Sequence, residues 1–473
     1  MAPEIQKMRE ANLLASTKAF ELAKEAEKYI PEDSALLKLW PKIASPFSFQ
    51  TIPAGAHVYW KDYNDTKGEW KLFGKTPLKN IWFPIGFTRI KIEKPGFITV
   101  LSPPTTWRSE VNLRLDSTGK LPENMVKVTG SKAWMFIVGL EKYGGKYVHD
   151  FLMDKYEVTN KEFKRFVDAG GYRNKTYWDY PIDSNGKEIS WEKAMDLFHD
   201  KTGRPGPAGW EVGTYADGKD NHPVTGVSWY EAMAYAKFTG KKLPTVYHWS
   251  MVANTINTWG IIPKSNFNST GTVSVGTMDG ISDWGVYDIA GNAREWCFNE
   301  SEKKGYRFIL GGGWSDPTYA YNDAGVQPVW DRSLSNGFRC MKELPGDTSY
   351  HNLSGNLTFA HRDYTAEKPV DDETFKIFSR QYIYDPSPLN PTISLVKDTS
   401  LCKIEKVDFD AAYNKERMTA YLFVPKNVAP PYETIVFFPG SNAMVTRKFD
   451  YAGRWHLVLI LFSKAAELFV ILF

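Results

Sequence analysis

The chain has 473 residues, 42% of them hydrophobic and 15% aromatic, with 17 tryptophans. That length asks for two to four domains, and the aromatic load argues for packed domains and against a disordered linker. With 58 basic against 55 acidic residues the net charge is +3, too even for a nucleic-acid surface or a polybasic membrane anchor.

Three cysteines, Cys297, Cys340 and Cys402, are too few for a disulfide scaffold. The first twenty residues lack an apolar signal core and read as an amphipathic helix. Leu13, Leu14, Ala19, Phe20, Leu22, Ala23, Ala26 and Tyr29 recur at helical spacing up to Pro31. Glu32, Asp33 and Ser34 suit a second helix start, because their side chains accept bonds from free first-turn amides. Residues 1–45 are therefore expected to form a helical hairpin, a single repeat-like unit whose apolar face needs a neighbour, placed upstream of Met1.

Residues 46–101 change character. Val58–Trp60, Trp70–Phe73, Ile81–Phe83 and Thr88–Ile92 are strand-like and separated by Gly, Pro and Asn, which predicts a small antiparallel β unit. The phrases "PAGAHVY", "GKTPL" and "IEKPGF" resemble the PEGA module, a small β domain of bacterial surface and signalling proteins. The resemblance implies a spacer or interaction role and brings no catalytic residue.

Residues 121–345 are the most informative. In "DKYEVTNKEFKRFVDAGGY" a strand leads into a helix capped by Thr159 or Asn160, with Phe163, Phe166 and Val167 on its apolar face. In "HPVTGVSWYEAMAYAKFTGKKLPT", Ser228 caps a helix carrying Ala232, Ala236 and Phe238, and Gly240 closes it. Six phrases in register, "YEVTN", "HPVTGVSW", "KLPT", "GVYDIAGNAREW", "LGGGW" and "GFRC", resemble the formylglycine-generating (sulfatase-modifying factor) enzyme family. The resemblance implies an irregular α+β fold related to C-type lectins.

It also implies a chemistry that the residues do not carry. The family oxidises a substrate cysteine with two copper-holding cysteines a few residues past the glycines of the closing segment. Here Trp314 to Tyr321 fill that interval without a cysteine, and the Ser315 hydroxyl is neither a soft copper ligand nor redox-active. Cys297 and Cys340 read as buried small apolar residues, the alternative being a relocated thiol pair. A sulfur–carbon bond-forming branch of the superfamily uses non-haem iron, but the eight histidines are scattered, none at i, i+4. In "DIAGNAREW", Asp288 and Glu295 side-chain oxygens flank the Gly291 and Ala293 carbonyls. Hard oxygens on a tight glycine turn suit calcium, and by resemblance these four positions match a structural calcium site. The plainer alternative is that both acids hydrogen-bond the turn.

From 346 to 473, "AYLFVPK" and "YETIVFFPGSNA" resemble the entry strands of an α/β-hydrolase, with Gly440 and Ser441 at the turn that donates an oxyanion amide in that fold. No G-x-S-x-G elbow occurs, so this segment is expected to be incomplete and inactive. Such hydrolase-like pieces follow formylglycine-enzyme-like domains in bacterial serine/threonine kinases, yet no HRD or DFG motif is present. An upstream kinase domain is therefore the expected partner. The apolar tail "WHLVLILFSKAAELFVILF" could span a bilayer by length, but Lys464 and Glu467 argue against it.

The reading that results is α+β: a hairpin, a small β domain, an irregular C-type-lectin-related formylglycine-enzyme fold and a partial α/β-hydrolase-like segment. Its function is expected to be non-catalytic binding or sensing in a signalling protein, with loops such as "WSDPTYAYND" offered to a peptide or glycan. The alternative is a divergent metal-dependent oxidase, which requires ligands near Trp314 to Asp331, where Asp316, Asp323 and Asp331 are available.

Overall fold

The computed structural model describes residues 16–102, 109–184, 187–253, 255, 258–359, 365, 367–382, 387–399, 402–411, 416–426, 429–437 and 467–472. Leu13, Leu14, Gly440, Ser441 and residues 455–466 of the apolar tail lie outside them. The chain divides into two compact units, one of Met1–Ala44, Pro84–Gly86 and Arg362–Phe473, the other of Ser45–Phe83 and Phe87–His361.

In the first unit, α1 (Ser16–Glu27) and α2 (Ser34–Ile43) form a hairpin. Asp33 caps α2, its carboxylate accepting from the Ala35 and Leu36 amides at 2.9 Å each, which satisfies two orphan donors of the first turn. Phe20 meets Trp40 edge-on at 5.7 Å. Ala19, Phe20, Ala23, Leu36, Leu39, Trp40 and Ile43 are all buried.

The second unit begins with two small sheets. They are built from β1 (Ala44–Ile52), β2 (His57–Asp62), β3 (Lys71–Lys75), β4 (Leu78–Pro84), β5 (Thr88–Glu93), β6 (Val100–Ser102) and β7 (Glu110–Arg114). One runs β3-β2-β5-β6 and is antiparallel; the other runs β4-β1-β7. The β1–β7 pair is parallel, Ser48 opposite Glu110 through Ile52 opposite Arg114. This corrects the wholly antiparallel expectation, whose boundary at 101 left β7 outside the unit. Phe47, Phe49 and Phe83 pack at ring separations of 4.9 to 5.7 Å at the centre of its core.

The rest of the second unit is α+β. Antiparallel strands β8 (Met125–Val128) and β9 (Phe151–Asp154) join β14 (Met341–Glu343) in the order β14-β9-β8. A second sheet, β12-β11-β10-β13, takes β10 (Arg294–Glu300), β11 (Tyr306–Leu310), β12 (Val326–Pro328) and β13 (Asn336–Gly337). Three helices pack among them: α3 (Asn160–Asp168), α4 (Trp229–Phe238) and α5 (Val246–Ala253).

Capping boxes start α3 and α4: Thr159 and Glu162 at one, Ser228 and Glu231 at the other. Thr159 is thus the cap of α3. Asn160 instead accepts from the Trp210 indole and donates to the Lys219 carbonyl. Ser228 and Glu231 are fully buried, because Glu231 also accepts from Tyr172 at 2.6 Å and pairs with Arg332 at 2.9 Å.

In the first unit again, β15 (Thr392–Asp398), β16 (Cys402–Asp410), β17 (Arg417–Pro425), β18 (Glu433–Phe437) and β19 (Glu467–Leu472) make a sheet ordered β15-β16-β17-β19-β18. β19 pairs antiparallel with β17 and parallel with β18. The described end of the apolar tail is a strand. Among the described residues, no helix is long and apolar enough to cross a membrane.

Candidate functional site

The closing segment leaves β11 through Gly311 and Gly312, both at positive φ. A Cβ on Gly312 would come within 2.8 Å of the Phe267 ring, and one on Gly311 within 3.0 Å of the Ile289 carbonyl oxygen. Glycine is needed there because the backbone passes too close to its neighbours for a side chain. Beyond it, Arg294 from β10 holds Asp316 with two hydrogen bonds of 2.6 Å, and the Gly313 amide adds a third at 2.7 Å. Burial works against ionisation of Asp316, but these donors hold its carboxyl below the usual range. The Trp314 indole donates to the Leu334 carbonyl, and the buried Tyr321 hydroxyl donates to the Ala253 carbonyl at 2.6 Å. Tyr319, 69% exposed, is the loop's outward aromatic side chain.

No thiol stands in this loop, and neither candidate thiol reaches it from outside. Cys297 and Cys340 are fully buried and belong to different core clusters. Cys297 packs in the cluster with Phe308, Leu310 and Tyr321, Cys340 in the one with Phe163, Trp296 and Phe338. Burial pushes both thiols well above the ordinary cysteine value, away from the ready thiolate of a reactive cysteine. Asp331 is spent on the Ser333 amide and hydroxyl. Among the described residues, no group of three His, Cys, Asp or Glu side chains is placed to hold a metal ion.

The "DIAGNAREW" turn brings Asp288, Gly291, Ala293 and Glu295 together through a run of left-handed backbone, with φ of 55° at Asp288, 77° at Gly291 and 62° at Asn292. Asp288 accepts from the Gly276 amide at 2.6 Å. Glu295 is fully buried and its carboxylate is filled. Arg339 Nε lies 2.8 Å from both oxygens, Arg339 Nη2 lies 2.6 Å from Oε1, and the Trp249 indole lies 2.9 Å from Oε2. A third acid, Glu157, accepts from the Ala293 amide at 2.8 Å and the Asn292 side chain at 2.7 Å.

These donors fit a guanidinium at Glu295. Calcium would need oxygens that Arg339 and Trp249 already occupy. Three buried carboxylates face one arginine, and burial above all raises the pKa of each, Asp288 to about 6. Glu157 and Arg339 were missed as site residues because "YEVTN" and "GFRC" served only as landmarks of fold, and single charged letters carry no sign that they are buried.

Residues 144–344 match the family model described as the sulfatase-modifying factor enzyme 1-like domain. The second unit thus carries a sulfatase-modifying factor enzyme 1-like domain.

The chain is 31% identical over 159 residues to serine/threonine-protein kinase pkn1 of Chlamydia caviae, covering 32% of this chain and 23% of that protein. It is 29% identical over 184 residues to the formylglycine-generating enzyme of Thermomonospora curvata, covering 31% of this chain and 59% of that protein. It is 26% identical over 236 residues to the inactive C-alpha-formylglycine-generating enzyme 2 of Bos taurus, covering 41% of this chain and 77% of that protein. The chain therefore spans about a quarter of the kinase relative and less than two thirds of the bacterial enzyme. Within the sulfatase-modifying-factor-like domain, Asp316, held by Arg294, falls in the interval where the resemblance places the copper cysteines.

Proposed function

We propose that the sulfatase-modifying-factor-like domain is a non-catalytic binding module of a signalling protein. The observation that carries this reading is the Arg294–Asp316 pair. It fastens a thiol-free closing loop to β10, while both nearby cysteines are sealed in cores. Copper oxidation of a thiol needs a soft ligand pair open to substrate, and this loop offers a carboxylate already engaged. Similarity to an inactive member of the family and to a kinase supports the reading.

A surface for binding lies beside the loop. Along residues 133–138, Ala133, Met135 and Ile137 point into the core while Trp134, Phe136 and Val138 point out. The Trp134 and Phe136 rings stack at 6.0 Å and 5°, and the Val138 amide donates to the Asn322 carbonyl at the end of the loop. These stacked rings present a rigid apolar area to the peptide or glycan expected of this region.

The test is to incubate purified protein with copper, oxygen and a cysteine-containing peptide, and to look for the peptide aldehyde by mass spectrometry. No aldehyde is expected. Turnover at the rate of an active family member would overturn the proposal.

A further inference from the structure

A second cleft, distinct from the closing loop, opens between β9, α3 and α4 with a volume of about 370 Å³. Its wall includes Asp154, Glu157, Glu162, Arg165, Tyr235 and Lys241. The acids within it are already engaged. Asp154 accepts from Lys241 at 2.6 Å and from the Cys340 amide at 2.9 Å. Glu157 is spent on Ala293 and Asn292, and Glu162 closes the capping box with Thr159.

The donors are not engaged to the same degree. Tyr235 is 5% exposed, lines the cleft, and its hydroxyl has no hydrogen-bond partner among the described residues. That hydroxyl lies within electrostatic reach of Asp154, Glu162 and Arg165. Because it lines the cleft, that hydroxyl is free to donate to a ligand oxygen. Lys241 gives one of its three ammonium protons to Asp154 and keeps two. The guanidinium of Arg165 has no hydrogen-bond partner among the described residues, and Lys161 adds a second cation at the rim. One exposed acid, Glu123, opposes them from the other wall. Tyr156, Val158 and Val275 supply an apolar side.

We infer that this cleft binds a small organic carboxylate, its oxygens taken by Arg165, Lys241 and the Tyr235 hydroxyl and its apolar body laid against Tyr156, Val158 and Val275. Planar bidentate pairing suits arginine to a carboxylate, and the cavity has room for a ligand of roughly ten heavy atoms. The site does not depend on the non-catalytic reading of the closing loop.

Fluorine NMR with 4-fluorobenzoate, 4-fluorobenzylamine and 4-fluorobenzyl alcohol tests it on the full chain. The benzoate is expected to bind at least about tenfold more tightly than the other two. Arg165→Ala should weaken it about tenfold or more. Tyr235→Phe should weaken it several-fold without lowering the melting temperature, since that hydroxyl holds nothing in the fold. No binding by the benzoate, equal binding of the three probes, or an undiminished affinity in Arg165→Ala would overturn the assignment.

Discussion

Arg339 shows how much one side chain carries. Its guanidinium is fully buried, pairs with Glu295, and also donates to the Asp154 and Tyr287 carbonyls. Removing it strands buried carboxylates, so Arg339→Ala should cost about 3–5 kcal/mol in chemical denaturation. The double variant Glu295→Gln with Arg339→Met should cost less, because it leaves no unpaired charge there. Neither calcium nor EDTA should move the melting temperature of the unaltered protein, since Arg339 and Trp249 already fill the Glu295 carboxylate.

His248 gives the pH dependence. It is buried against Phe151 at 4.7 Å with Nδ1 bonded to Thr245 at 2.6 Å, and burial above all lowers its pKa from 6.5 to about 3. Between those values the unfolded chain binds a proton that the folded chain refuses. Stability from this group is therefore complete above pH 6.5 and falls by about 1.4 kcal/mol for each pH unit below it. Thermal melts from pH 7 to 4 should differ in slope by one proton between the unaltered protein and His248→Asn, the raised Asp288, Glu157 and Glu295 acting in the opposite sense equally in both. Persistence of the full slope in that variant would remove His248 as its source.

At the scale of elements, the closing loop is held by few anchors. Asp316→Ala removes three hydrogen bonds at once, and the expected result is faster amide exchange over residues 313–322 with α5 unchanged. Exchange left as it was would mean that Trp314 and Tyr321 suffice. Much at this scale was legible in advance. Ser228 as the cap of α4 followed from a hydroxyl three residues before Glu231, a purely local signal. The β1–β7 pairing was not legible, since it joins strands about sixty residues apart and neither strand specifies its partner. The site divides the same way. The missing thiols are visible in the letters, whereas the pairing of Glu295 with Arg339 exists only once β10 and the "GFRC" segment are folded together. In the apolar tail Lys464 and Glu467 argue against a bilayer helix, and the described Glu467–Leu472 is a strand, a form that length alone does not distinguish from a helix.

For the molecule as a whole, the small β domain and the sulfatase-modifying-factor-like domain share one compact unit. Tyr63 joins them: its buried hydroxyl donates to the Ile281 carbonyl and accepts from the Ile281 amide, both at 2.9 Å. Arg89 lies over the Tyr63 ring at 4.4 Å and donates to the Asp279 carbonyl. Tyr63→Phe leaves both Ile281 groups unpaired and should cost about 1–3 kcal/mol. Limited proteolysis should then cut sooner within residues 115–124, between β7 and β8. An unchanged cleavage rate would show that the two domains are held by other contacts.

The closing loop holds no thiol and is fastened to β10 by the Arg294–Asp316 pair, so the non-catalytic proposal requires that the chain take up no copper(I). The most direct measurement is an anaerobic copper(I) titration of the purified full chain against a chromophoric chelator. The account predicts that the chelator keeps the metal throughout, with no change when Arg294 is replaced by Ala. Stoichiometric transfer of copper(I) to the protein, abolished by replacing Cys297 or Cys340 with Ser, would contradict it.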